Sequence, residues 1–299
     1  MKIILFAKQV PDTQNITGDA MKKDGTVNRG ALPAIFNPED KNALEMALSL
    51  KEKYNATIIA ATMGPPKAAE LLRETLYMGA DETFLITDRA FAGADTLATS
   101  YALACCAKKI ADYDIIMCGR QAIDGDTAQV GPQLAEKLNI PQLSYVLEIL
   151  KINKKKKTIK VKRAIDGGFE VVEAPLPILL TVPEAANEPR PASAKKIMSF
   201  KKAMTGFELQ KKHGDAIYED SELLATEEAK LRKKNLWIQE LTAADINADV
   251  ERVGLKGSPT KVKQIENVVL GGGSLKNIEP SIEGISGLVH ELIEDHILG

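Results

Sequence analysis

The sequence predicts an α/β fold, a doubly wound and mostly parallel sheet, and three observations carry that expectation. Short apolar runs rich in isoleucine recur at residues 2–7, 57–62, 83–86 and 113–118. Between them lie stretches whose apolar residues repeat at helical spacing. The runs show no polar alternation, as expected of strands buried on both faces of a parallel sheet. Their order, strand then helix repeated four times, puts any ligand beyond the carboxyl ends of the strands.

Each helix has its own signature. Residues 39–53 carry Ala43, Leu44, Ala47, Leu48 and Leu50 at helical spacing, with Asn37 placed to cap and Pro38 in the first turn. Residues 66–78 follow Gly64-Pro65 and align Ala69, Leu72 and Leu76, while 94–110 follow Gly93 with many small residues. After the fourth strand comes a polar loop, Cys118 to Pro132, and then an amphipathic helix through Leu134 and Leu138. A turn of this kind exposes backbone N–H donors and the positive end of a helix dipole, which suit a phosphate. An ordinary strand-to-helix connection is the plain alternative; the excess of Gln, Asp and Thr favours binding. Phe6, Ala7 and Lys8 end the first strand and Met63-Gly64-Pro65 the second, and a parallel topology makes these loops converge on the same crevice.

Beyond Pro141 the period changes to two. Val146–Ile152, Ile159–Arg163 and Phe169–Val172 alternate apolar and polar residues around turns at Asn153 and at Gly167-Gly168, a pattern of antiparallel hairpins. Lysines 154 to 157 form a solvated hairpin tip, since no aromatic residues interleave with them as in a nucleic-acid surface. Leu176–Val182 reads as one more apolar strand. Prolines 183, 189 and 191 then mark a change in composition, which places a domain over residues 1–190 and a separate segment over 191–299. That segment holds an amphipathic stretch at 221–241 and a helix at 284–297 with Ile285, Leu288, Val289, Leu292, Ile293 and Ile297 on one face. Such a stripe either meets a partner or packs back on its own domain, and the pattern does not choose. Gly271-Gly272-Gly273-Ser274 lacks a following Gly-Lys-Ser/Thr and reads as a linker.

Composition narrows the function classes. The 299 residues carry 39 basic and 41 acidic side chains, a net charge of -2, so no overall excess points to nucleic acid. No apolar run approaches the ~18 residues of a membrane span, which predicts no membrane insertion and a cytoplasmic setting. Cys105 and Cys106 sit adjacent in an apolar helical stretch, so the 3 cysteines make neither a disulfide framework nor a metal site and read as core residues. His213, His290 and His296 lack ligand spacing and are expected at the surface.

Several segments together resemble the β subunit of electron-transfer flavoproteins: Lys8-Gln9-Val10-Pro11-Asp12-Thr13, Asn37-Pro38, Met78-Gly79-Ala80-Asp81, the Gly119 to Gly131 loop and Val161 to Val182. The resemblance spans roughly residues 1–205 and returns at Gly257-Ser258-Pro259-Thr260-Lys261-Val262. It implies an adenine-nucleotide-binding type of α/β domain with an antiparallel hairpin addition and an extended C-terminal arm. It also implies a heterodimer in which an α subunit supplies a mobile FAD domain and residues 191–299 supply a partner-docking loop and an arm packing on that subunit.

In one branch of this family the β site holds structural AMP; in the electron-bifurcating branch it holds a second FAD that accepts hydride from NADH. Gly125, Thr127 and Ala128 are small where AMP-binding relatives carry larger or more polar residues, and Ala94-Asp95-Thr96-Leu97-Ala98-Thr99 is similar to bifurcating members. The resemblance therefore implies FAD bound by Arg120, Gln121, Ala122, Ile123, Asp124, Gly125, Asp126, Thr127, Ala128, Gln129, Val130 and Gly131, with Phe6, Asn37, Asp40 and Met63 lining the site and Thr96 nearby. Electrons would pass to the α-subunit flavin with its flavin dehydrogenase, and to ferredoxin or flavodoxin. No side-chain acid, base or nucleophile is required, since the protein orients and tunes a cofactor that carries the chemistry. The alternative is AMP in this site and a non-bifurcating carrier of single electrons. One departure stands out: the leucine that anchors the docking loop of relatives into acyl-CoA dehydrogenases aligns with Ala194. A stand-alone nucleotide hydrolase of similar fold would want a Ser-Gly-Gly-x-Asp-Ser loop after the first strand, and Lys8-Gln9-Val10-Pro11 does not supply it.

Overall fold

The computed structural model describes residues 1–12, 32–214, 221–260 and 277–294. Its centre is a 7-stranded sheet in which every pairing is parallel. In chain order the strands are β1 (Lys2–Phe6), β4 (Thr57–Met63), β5 (Glu82–Ile86), β6 (Ile115–Gly119), β7 (Gln142–Leu143), β11 (Ile178–Val182) and β12 (Gln239–Leu241). Across the sheet they run β12-β5-β4-β1-β6-β11-β7. The chain winds outward from β1 through β4 to β5, then crosses back to β6 on the other side of β1. The ends of β1 and β6 therefore flank the point where the winding reverses, where such sheets open a crevice.

Helices cover both faces, as the uninterrupted apolar strands require. Ile3 and Leu5 point to the face shared with α1 (Pro38–Tyr54) and α2 (Ala69–Met78). Ile4 and Phe6 point to the face shared with α3 (Thr96–Ile110) and α4 (Val130–Leu138). Each fully buried Ile or Leu in these layers contributes about 2 kcal/mol of transfer free energy. A separate antiparallel sheet, β8 (Val146–Asn153), β9 (Thr158–Ile165) and β10 (Gly168–Pro175), follows the alternation read from the sequence. Val146, Ile152, Ile159 and Val161 are buried against the α1 layer.

Several local features depart from the sequence reading. Two short strands, β2 (Gln9–Pro11) and β3 (Ala34–Phe36), pair antiparallel in a ribbon above the end of β1. Residues 221–241 do not form one element: α7 (Ser221–Lys233) ends near Asn235 at φ 55, and the chain turns into β12. Burial of Ile238 and Leu241 draws that segment back to the edge of the main sheet, beside β5. Residues after 190 thus contribute a strand to the central sheet as well as α5 (Ala194–Phe200) and α6 (Gly206–His213). His213 is half-buried at the end of α6, His290 is exposed, and His296 lies outside the described residues. Cys106 is buried and its thiol is pushed up to about 12 by loss of solvation. The C-terminal helix α8 spans Ile282–Glu294; Ile297 and the Gly271 to Ser274 run lie outside the described residues. No helix among the described residues is long and apolar enough to cross a membrane, and none of them forms a metal-binding cluster.

Candidate functional site

The loop from Arg120 to Gln129 leaves β6 at the switch point, and the start of α1 holds it. Asn37 occupies the cap position of α1 but makes no capping bond with its side chain. Its Nδ2 instead donates to the Gln121 carbonyl at 2.8 Å and its Oδ1 accepts the Ile123 N–H at 3.2 Å. Glu39, buried in the first turn, accepts the Gln121 N–H at 2.8 Å and pairs with the Arg120 guanidinium at 2.9 Å. That pairing raises Arg120 above its ordinary value, and the guanidinium also lies 5.8 Å from the Tyr145 ring centroid. Asp40 accepts the Lys8 N–H at 2.8 Å on one oxygen and the Gly119 N–H at 2.7 Å on the other. Burial pushes its carboxyl up to about 7, although both N–H bonds pull the other way.

The rest of the loop is shaped by its own backbone. Gly125 and Asp126 both donate N–H to the Ala122 carbonyl, at 3.2 and 3.0 Å. Asp126 and Ala128 adopt left-handed φ of 47 and 52. The two loop acids are paired: Lys8 binds Asp124 at 2.7 Å, and the Gln121 amide donates to Asp126 at 2.7 Å. At the far end the Thr96 hydroxyl, at the start of α3, donates to Gln129 at 3.0 Å. Gln129 precedes α4 without a side-chain cap, and the first turn of α4 carries no acid. The positive end of that helix therefore faces the loop with neither a side-chain cap nor an acid in its own first turn.

Gly125 and Gly131 differ in kind. A Cβ on Gly131 would lie 2.7 Å from Thr181 Cγ2 and 3.2 Å from Cys118 Sγ, so this glycine lets α4 rest on β6 and β11. A Cβ on Gly125 would meet nothing within 4 Å. Neither packing nor a positive φ requires glycine there.

The expected residues fall into four groups, one of them Thr96 and Gln129, joined at the far end of the loop. Asn37, Asp40 and Arg120 to Ala128 come together beside the ends of β1 and β6. Met63 lines an open cleft of about 510 Å³ on the β4 side, with Lys8, Val10, Leu32, Gly64 and Asp124 among its walls. Phe6, Val130 and Gly131 pack inward, Phe6 and Val130 in the layer shared with α3 and α4. Lys8 and Glu39, outside the expected set, tie the loop down. Their signal in the sequence is position alone, just after a strand and just inside a helix.

A parallel sheet wound both ways from β1, with a glycine-bearing polar loop and an uncapped helix at the reversal, defines an α/β domain of the adenine-nucleotide-binding type. The electron transfer flavoprotein domain model matches residues 24–205. The chain is 43% identical over 298 residues to the electron transfer flavoprotein subunit beta of Clostridium acetobutylicum, covering 100% of both chains. It is 41% identical over 301 residues to the caffeyl-CoA reductase-Etf complex subunit CarD of Acetobacterium woodii, again covering 100% of both. It is also 36% identical over 301 residues to the acryloyl-CoA reductase electron transfer subunit gamma of Anaerotignum propionicum, with 100% of each covered. The chain belongs to the electron-transfer flavoprotein β subunits, a family that binds flavin or AMP and works with an α subunit.

Proposed function

We propose that this β subunit holds FAD in the crevice between β1 and β6, takes hydride from NADH there, and divides the electron pair. One electron passes to the α-subunit FAD and a flavin dehydrogenase, the other to ferredoxin or flavodoxin. The observation that carries this reading is the unfilled space at Gly125 beside the uncapped start of α4. A glycine that the fold itself does not demand is suited to close approach by a ligand, and helix N–H groups suit a diphosphate. Asp124 and Asp126 would repel a phosphate if bare; Lys8 and the Gln121 amide engage them.

Bound FAD would supply the hydride-accepting and single-electron chemistry. The chain's part would be to orient it, with Arg120 to Gln129 holding the ADP portion and ring, Met63 lining the site and Thr96 nearby. Two relatives carry the names of a caffeyl-CoA reductase and an acryloyl-CoA reductase, which supports a dehydrogenase of that broad kind as the third component. Residues 191–299 act as docking loop and arm toward the partners: Met198 on α5 is 66% exposed, and α8 leaves Ile285, Val289 and Ile293 uncovered. Counting cofactors in the purified heterodimer tests the reading. FAD in both subunits and bleaching by NADH support it, whereas one FAD with one AMP and no response to NADH overturn it.

A further inference from the structure

We propose that Asp40 is a positioning residue: its carboxylate does not reach the bound nucleotide but sets the gap between the ends of β1 and β6 in which the nucleotide is held. The inference rests on nucleotide binding in that crevice and holds for FAD and AMP alike. Asp40 is 5% exposed and spends one oxygen on each wall, on Lys8 N–H at 2.8 Å and on Gly119 N–H at 2.7 Å. Gly119 is built for this contact, because a Cβ there would lie 2.7 Å from Asp40 Oδ1 and 2.8 Å from the Asp40 nitrogen. The start of α1 can thus press against the last residue of β6 only where the side chain is absent. One bonded N–H belongs to the last residue of β6 and the other lies two residues beyond the end of β1, the two strands that flank the winding reversal, and the loop of the site begins immediately after Gly119.

An ionised carboxylate accepts from both walls at once. A protonated one turns an oxygen into a donor and leaves one buried N–H without its acceptor, a conflict that loosens the gap. The carboxyl is raised to about 7 by burial, so this exchange falls near neutrality. The charged and titratable groups around it are Glu39 on its own helix, Lys8 with its partner Asp124 beyond the end of β1, Cys118 on β6, and Arg120 just after β6, which pairs with Glu39. Burial pushes the Cys118 thiol far up and Glu39 raises Arg120, so neither changes charge between about pH 6 and pH 8.

The test is a titration of nucleotide affinity by equilibrium dialysis of the intact heterodimer, with the α-subunit flavin as internal reference. The β-site nucleotide should bind about tenfold more weakly at about pH 6 than at about pH 8, and Asp40→Asn should abolish that slope. A pH-independent wild type, or the same slope in Asp40→Asn, overturns the proposal. Should that variant fail to assemble, amide exchange in the wild type decides. Loss of protection at Lys8 or Gly119 over the same range supports the role, and unchanged protection removes it. Finding AMP in place of FAD would overturn the flavin reading, and the Asp40 slope is then read on AMP.

Discussion

Gly125 and Gly131 share one loop and answer to different constraints. Gly131→Ala forces a Cβ to within 2.7 Å of Thr181 and should destabilise the fold by about 2 kcal/mol in urea denaturation. Gly125→Leu has open space around it and should leave stability within about 0.5 kcal/mol, while reducing flavin retained at the β site at least tenfold. Equal flavin retention in the Gly125 variant would mean that the ligand does not approach there. Asp40 adds a pH signature of the fold itself. Its folded carboxyl is raised from the ordinary 3.8 to about 7, so its contribution to stability is complete below 3.8 and is lost as pH rises through 7. In the ligand-free protein, acidification from about pH 8 to pH 6 should raise the melting temperature relative to Asp40→Asn, opposite in sign to its effect on nucleotide binding.

At the scale of elements, the first turn of α1 is a fixture for the β6–α4 loop rather than a capped helix start. Glu39→Ala leaves Arg120 without its carboxylate and the Gln121 N–H without an acceptor, and should cost about 2 kcal/mol by denaturant unfolding with weaker nucleotide retention. This arrangement was only half legible in the sequence. Strands β1, β4, β5 and β6 and the helices between them announce themselves by period and by unbroken apolar runs. Asn37 and Glu39, in contrast, look like a capping residue and a first-turn acid, because local spacing carries no information on a loop that arrives from residues 120–123. Strands β2, β3 and β12 are each 3 residues long, too short for a period, and their pairing is decided by tertiary contact. The amphipathic pattern over 221–241 misleads for the same reason: burial of Ile238 and Leu241 fits a helix face and an edge strand equally well.

At the scale of the molecule, the central sheet is closed on both faces while α8 is not. Ile282, Ile285, Val289 and Ile293 on α8 are all exposed, the stripe that the sequence left open between self-packing and a partner. Replacing Ile285 and Val289 by glutamate should weaken assembly with the α subunit by at least tenfold in sedimentation or titration calorimetry, without changing the fold of residues 1–190 by circular dichroism. Assembly of unchanged strength would assign that face to another contact. The central claim proposed for the β-site crevice, which fold and family leave open between flavin and AMP, is that it holds a redox flavin and not a silent adenylate. Quantifying FAD and AMP released from the purified heterodimer, with anaerobic addition of NADH to a matched sample, tests it most directly. The account predicts two FAD per heterodimer, no AMP, and flavin bleaching by NADH; one FAD, one AMP and an unchanged spectrum would contradict it.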